Sequence, residues 1–237
     1  MEENRKLYVF GASGHGKAVT ELVLNTNCKI EALIDDAPKS DNLGYIPIVN
    51  ATGIVKPAPD VALIIAIGNN LTRKNISLRF SDYNFFSSIH QTAFVSPSAT
   101  VGFGSVIMLR AIINADAKIG NHVIINTAAI IEHECCIDDF VHISPNVTLS
   151  GNVSIGLGSH LGAGVIVIPG IKIGKWCTVG AGTVVINDIP DRATVVGNPG
   201  KIIKYNNLVE TAAKNEKILK KNKVIKINSG NLKFKTY

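Results

Sequence analysis

His133 and Glu134 are adjacent, at the end of the stretch Asn126-Thr-Ala-Ala-Ile-Ile-Glu-His-Glu134. An imidazole beside a carboxylate is the arrangement of a general base, because the carboxylate orients the ring and raises its basicity near neutral pH. Eighteen residues on lies Gly151, which predicts room beside the imidazole for a ligand. His142 and His160 are also eighteen residues apart, and His15, His90 and His122 complete the set. A second candidate is Gly11-Ala-Ser-Gly-His-Gly16, which follows an apolar strand and opens an apolar-periodic helix. Its backbone N–H groups can meet a phosphate at the helix N-terminus. Asp35 follows about 20 residues later, where a dinucleotide fold reads a ribose hydroxyl. The spacing is GxxGxG rather than GxGxxG, so a nicotinamide cofactor, a nucleotide sugar and a ligand-free tight turn are all open readings of this loop.

A period of six positions the histidines. Every sixth residue from Val95 to Val185 is Val, Ile or Leu, and a hexapeptide period is a solenoid signature. Two positions before many of these aliphatics sits a small or β-branched residue, as at Ala93, Ala99, Ser105, Ala111, Ala117, Ala129, Ser159 and Thr183. Side chains alternate along a strand, so both sets point inward. Three six-residue units close one coil, and the next coil repeats roughly 4.8 Å along the axis. Residues 91–204 thus read as about five coils of parallel β-helix, a solenoid that buries its core by stacking. On this grid His133 falls in a corner turn, and so does His122. His142 precedes Ile143 and points outward from a flat face, and His160 occupies the same column one coil later. Of Cys135 and Cys136, only Cys135 faces the core.

Residues 1–90 carry a different pattern. Apolar strands at Leu7–Phe10, Ile30–Ile34 and Val61–Ile67 alternate with helical segments, the second running through Arg79. Such alternation builds a small Rossmann-like parallel α/β sheet, with a last strand expected at Phe85–Ile89 and the break near His90–Thr92. Residues 205–237 form a basic tail, partly helical by composition. Its lysines from Lys214 to Lys235 supply much of the net charge of +6. The tail reads as a solvated cap, with attraction to anionic membranes or acidic partners as the alternative. Few aromatics interleave with the lysines, which argues against a single-stranded nucleic-acid platform. No run of about 18 apolar residues is present to span a bilayer. The start Met-Glu-Glu-Asn-Arg-Lys lacks the apolar region of a signal peptide. The four cysteines show no paired framework, and a reducing, cytoplasmic setting is expected.

Taken together, Gly11–Gly16, Ile34-Asp-Asp36, Ala66-Ile-Gly-Asn-Asn70, Asn126-Thr127, Ile131-Glu-His-Glu134 and Asp139-Phe-Val-His142-Ile-Ser resemble the sialic-acid O-acetyltransferase and bacillosamine-pathway N-acetyltransferase family of hexapeptide-repeat acyltransferases. The likeness runs in order over residues 6–204. It implies a left-handed β-helix, a homotrimer with active sites between subunits, acetyl-CoA as co-substrate without a metal, and a nucleotide-sugar acceptor. By the same resemblance His133 is the base and Glu134 its supporting carboxylate, while His142, Ala163 and Ala181 contact acetyl-CoA. Ser13, Gly14, Asp35, Asp36 and Gly68 fall around a uridine-nucleotide pocket, and Asn126 in a sugar-contacting turn. Ala163 and Ala181 depart from the larger aliphatic or glycine common there. The implied acceptor is the C4 amine of a UDP-linked 4-amino-4,6-dideoxy-N-acetylhexosamine, with a GDP-linked 4-amino sugar or a sialic-acid hydroxyl as alternatives. Two other classes compete. A metal hydratase would need three converging imidazoles, drawn from His142, His160 and a neighbour's His133 or His122. A non-catalytic trimeric scaffold would use the α/β domain to sense a nucleotide.

Overall fold

The computed structural model describes residues 6–26, 28–53 and 61–206. The first region builds β1 (Lys6–Phe10), α1 (Gly14–Leu24), β2 (Lys29–Asp35), β3 (Asn42–Leu43), β4 (Ile46–Asn50), β5 (Val61–Ile65), α2 (Asn70–Arg79) and β6 (Asn84–Phe85). They form one sheet in the order β3-β4-β2-β1-β5-β6. β1 pairs in parallel with both β2 and β5, and only the β3–β4 hairpin is antiparallel. Both faces are covered, which is why the strands read as continuous apolar runs. Leu7, Val9, Leu33 and Ile64 pack with Val19, Leu22 and Val23 of α1, and Phe10, Ile34, Leu63 and Ile65 with Ile76 and Phe80. Between β1 and α1 the chain turns tightly: Gly11 has φ of +115°, and a side chain at Gly16 would strike the Gly11 carbonyl.

From Ser88 to Val185 the strands are two residues long and fall into three sheets, one per face of the solenoid. Along the first face the pairs step by eighteen residues, Ser88 to Val106, Ile124, His142, His160 and Thr178. The aliphatics from Ile107 to Val185 in the period of six are all at most 4% exposed, and Val95 and Val101 pack against them at the first coil. Each such burial contributes about 1.5–3 kcal/mol, and the coils supply that burial to one another. Corners recur every six residues on a left-handed residue, among them His122, Ala128, Glu134, Phe140 and Asn146, with φ of 53° to 60°. Cys135 is buried and Cys136 exposed, as the alternation requires.

The expected strand over 85–89 divides in two. Phe85 pairs with β5, whereas Ser88–Ile89 pairs with Val106–Ile107 in the solenoid. The period of six reaches back one unit to Ile89, so the solenoid begins ahead of the expected break. At the other end Ala193–Val196 extends the first face and Lys201–Tyr205 adds to it antiparallel. The expected tail beyond residue 206 lies outside the described residues.

The two regions pack against each other on the first face, where Val106 and Met108 join the cluster of Leu7 and Val19. None of the described helices is long and apolar enough to cross a membrane.

Candidate active site

His133 and Glu134 sit in the corner between Ile130–Ile131 and Cys136–Ile137. The backbone there is fixed by neighbouring coils: the Glu134 N–H donates to the Ala115 carbonyl (2.9 Å), and the His133 carbonyl accepts from the Asn152 N–H (2.9 Å). Glu134 takes the left-handed corner conformation (φ 60°). Its Oε2 lies 3.1 Å from Nδ1 of His133. Both side chains are exposed, at 58% and 64%. A carboxylate on Nδ1 favours the tautomer that protonates this nitrogen and leaves the Nε2 lone pair outward, the state a general base needs. Gly151 does not leave the expected room for a ligand. A methyl group at Gly151 would lie 2.5 Å from Cε1 and 2.6 Å from Nε2 of His133, so the imidazole itself fills the space above the glycine. The glycine seats the ring.

His142 points outward from the coil, as its column predicts, yet it is only 9% exposed because the first region covers it. Its Nδ1 lies 3.1 Å from the Gly68 carbonyl and its Nε2 3.4 Å from Nδ2 of Asn126. A carbonyl can only accept, so Nδ1 donates and Nε2 is left as an acceptor. The His160 ring stacks on it at 4.7 Å and 13°, and Nε2 of His160 lies 3.0 Å from the Ser144 hydroxyl. His15, from the start of α1, approaches to 6.1 Å. Desolvation, with His160 and Arg73 adding repulsion, pushes the His142 pKa down to about 3, against the weaker pull of the Gly68 carbonyl. The ring is neutral at physiological pH. Burial, then Arg73, likewise lowers His15 to about 4. Stacked parallel rings with nitrogens engaged by Gly68, Asn126 and Ser144 do not converge on one point, contrary to what the hydratase reading needs, and no group of three or more metal-ligating side chains is found among the described residues.

The glycine loop lies at the carboxyl ends of β1 and β2, where ligands bind in open α/β sheets. Asp35 is committed to the loop itself, its Oδ2 accepting from the Ala12 N–H at 3.0 Å and its Oδ1 from the Ala37 N–H at 2.9 Å. Asp36 pairs with Arg79 at 2.7 Å. Ser13 is the N-cap of α1 but its hydroxyl makes no capping bond, and the space beside the Gly14 α-carbon is open. The first turn of α1 therefore presents free N–H groups and a hydroxyl to a ligand. The structure thus gathers Gly68, Asn126 and His142, with the glycine loop alongside through His15. Ala163 and Ala181 are exposed, one coil apart, in the corner column of Thr127 and Pro145, next to Asn126. His133 and Glu134 stand apart, at a corner that does not border the first face.

Sequence reasoning missed Arg73. It is 1% exposed, and its guanidinium donates to the carbonyls of His122 (2.8 Å), Ile67 (2.9 Å) and Phe140 (2.8 Å) and to Oδ1 of Asn70 (2.9 Å). Asn70 in turn donates to the Gly158 carbonyl at 2.9 Å. The pair, on one turn of α2, ties the two regions together. The signal available was an Arg three residues after Asn70 on the inner face of an amphipathic helix. His122, a possible ligand by sequence, is instead 3% exposed, stacked on Phe140 at 5.1 Å and met edge-on by Phe85 at 4.5 Å. A cleft of about 560 Å³ opens between Gly68–Leu71 and the column of His142, His160 and Thr178, with Trp176 and Asn206 at its rim.

Residues 6–80 match the family model of the PglD N-terminal domain. Over 111 residues, 44% of the chain, the sequence is 45% identical to UDP-N-acetylbacillosamine N-acetyltransferase of Bacillus subtilis (strain 168). The match spans about half, 51%, of the length of that curated relative. Among solved structures, the acetyltransferase domain of PglB from Neisseria gonorrhoeae FA1090 in complex with acetyl coenzyme A is 39% identical, with a TM-score of 0.79 over 84% of this chain and 100% of that one. A His-to-Asn variant of perosamine N-acetyltransferase from Caulobacter crescentus, in complex with CoA and GDP-perosamine, is 33% identical, with a TM-score of 0.78 over 84% of this chain and 97% of that one.

Proposed function

Since the chain belongs to the family of sialic-acid O-acetyltransferases and bacillosamine-pathway N-acetyltransferases, left-handed β-helix enzymes, we propose that it transfers an acetyl group from acetyl-CoA to the C4 amine of a UDP-linked 4-amino-4,6-dideoxy-N-acetylhexosamine. The exposed His133–Glu134 pair carries this reading. The α/β region would hold the diphosphate at the α1 N-terminus, with Ser13 and Gly14 against it and Asp35 and Asp36 at the nucleoside. Acetyl-CoA would run along the corner of Ala163 and Ala181, its thioester toward His142 and Asn126. A free amine is already a nucleophile, so the reaction needs proximity and a base. The amine nitrogen attacks the thioester carbonyl, His133 takes the proton the nitrogen sheds, and the tetrahedral intermediate collapses as that proton passes on to the departing sulfur, so that coenzyme A leaves as its thiol.

Within one chain His133 and His142 occupy a corner and a face that do not adjoin. A homotrimer, with the His133 corner of one copy set against the first face of the next, closes the site. Phe94 and Ile166, exposed at 54% and 45% on the second face between the two, give that contact an apolar surface.

A second reading has one observation in its favour: the likeness to the enzyme solved with GDP-perosamine covers 84% of this chain, the same share as the likeness to the PglB domain. A GDP-linked 4-amino sugar would keep the mechanism and change the base recognised. The test is an assay of thiol release from acetyl-CoA against UDP- and GDP-linked 4-amino sugars, their non-aminated parents and sialic acid. Release with a UDP-4-amino sugar alone is the expected result. Release with only the GDP sugar or sialic acid would replace the acceptor, and silence across the panel from folded protein would sink the reading.

A further inference from the structure

We propose that Arg73 is a positioning residue for His142: it holds the Gly68 carbonyl in place, and that carbonyl decides which nitrogen of the ring carries the proton. This rests on the proposed function only in what His142 is for. The geometry is local and complete. Nη1 of Arg73 donates to the Ile67 carbonyl at 2.9 Å and to the Gly68 carbonyl at 3.3 Å. The same Gly68 oxygen lies 3.1 Å from Nδ1 of His142. One oxygen therefore receives a buried cation on one side and an imidazole on the other. Nη2 of Arg73 reaches the Phe140 and Val141 carbonyls (2.8 and 3.3 Å), which immediately precede His142 in the chain. The guanidinium thus grips the two segments that meet at the ring, the loop after β5 and the strand carrying His142. A Lys, with a single point of attachment, could not span them.

The charge matters as well as the shape. The guanidinium donates to carbonyls and to the Asn70 side chain, and no carboxylate is among these partners. Burial draws its pKa down to about 9, which leaves it positive at physiological pH. The titratable groups facing His142 are His160 from the next coil, Arg73 from α2 and His15 from α1. Arg73 also disfavours protonation of His15, His122 and His160, where burial is the larger cause. A fixed buried cation keeps added protons off the imidazoles around it. Nε2 of His142 then stays an acceptor, available to the substrate-side donor that Asn126 now supplies, through the pH range in which an exposed histidine titrates.

The experiment reads the ring directly. Two-bond nitrogen–proton NMR correlations on the full-length, histidine-labelled protein report tautomer and protonation of His142 between pH 7.5 and 4.5. The wild type should show the Nδ1–H tautomer throughout, unprotonated; a predominant Nε2–H tautomer, or titration near pH 6.5, overturns the proposal before any variant is made. Arg73→Lys keeps the charge and loses the fork, and should give a mixed tautomer. Arg73→Met should likewise give a mixed tautomer, with any protonation of His142 at the acidic end of the range moved upward in pH. A folded Arg73→Met protein whose His142 behaves as in the wild type would contradict the claim, and should this variant not fold, the wild-type and Arg73→Lys spectra decide it. If no acceptor is acetylated, the functional reading fails while the tautomer measurement still judges Arg73.

Discussion

The solenoid keeps two kinds of histidine. His133 stands at a corner, 58% exposed, with a carboxylate at 3.1 Å and its ring laid over Gly151. His142 stands on a face, 9% exposed, with a carbonyl on one nitrogen, an amide on the other and a second imidazole on its plane. The same side chain is thus set in opposite environments. A group that must accept a proton needs access to the reacting atom and a partner for the positive ring that forms. A group that must present a fixed acceptor needs burial, which removes the charged form from the accessible pH range. The solenoid supplies both from one repeat, because the His133 corner is open while the first face is roofed by the α/β region.

The sharpest break of this comparison is His133→Ala, which should lower turnover by about 10² or more while acetyl-CoA binding, measured by calorimetry, stays near wild type. A turnover within a few-fold of wild type would remove the corner from the chemistry. Next in size is Gly151→Ala. Its methyl group must displace the imidazole, since the two would lie at 2.5 Å, and about a tenfold loss of kcat is expected with thermal stability little changed. On the buried side the expected signature is in stability. His15, His122 and His142 have folded-state pKa values near 4, 4 and 3, below the ordinary 6.5. Between those limits the unfolded chain binds more protons, so stability is fully present above about pH 6.5 and lost as pH falls toward 4. Urea midpoints at pH 7.0, 6.0 and 5.0 should fall in that order, and a flat series would show that the roof over the face does not hold these rings neutral. The smallest effect belongs to Glu134→Gln. The pair is exposed and solvent-screened, so a drop in kcat/KM of only a few-fold is expected, with Glu134→Ala lower still through loss of ring orientation.

Much of this was legible from residues alone. The period of six placed every aliphatic from Ile107 to Val185 in the core, His133 in a corner and His142 in a column with His160. A residue's direction from its own coil follows from strand alternation, which is local. What covers that residue does not follow, because it depends on where a separate region docks. Hence the sequence places His142 outward without its roof, and His122 in a turn without the wedge of Phe85, Phe103 and Phe140 around its ring. The role of Gly151 was inverted for a similar reason. Rings at His122 and Trp176 also lie over glycines eighteen residues away, Gly104 and Gly158. Such a ring-on-glycine pairing reads as a seat for the ring, a rule the sequence states once the coil length is known. Arg73 escaped because a lone arginine on a helix usually faces solvent, and only docking buries this one.

The central claim is that the transfer site is completed by two copies of the chain, the corner of one facing the roofed face of the next. Co-expression of His133→Ala and His142→Ala chains, each inactive or nearly so alone, tests it directly. In randomly mixed trimers one site in about four would draw an intact His133 and an intact His142 from neighbouring copies. Thiol release near a quarter of the wild-type rate, from assemblies whose mixed composition is verified by native mass spectrometry, is the predicted result. Activity no greater than the parents' from verified mixed assemblies would contradict a shared site.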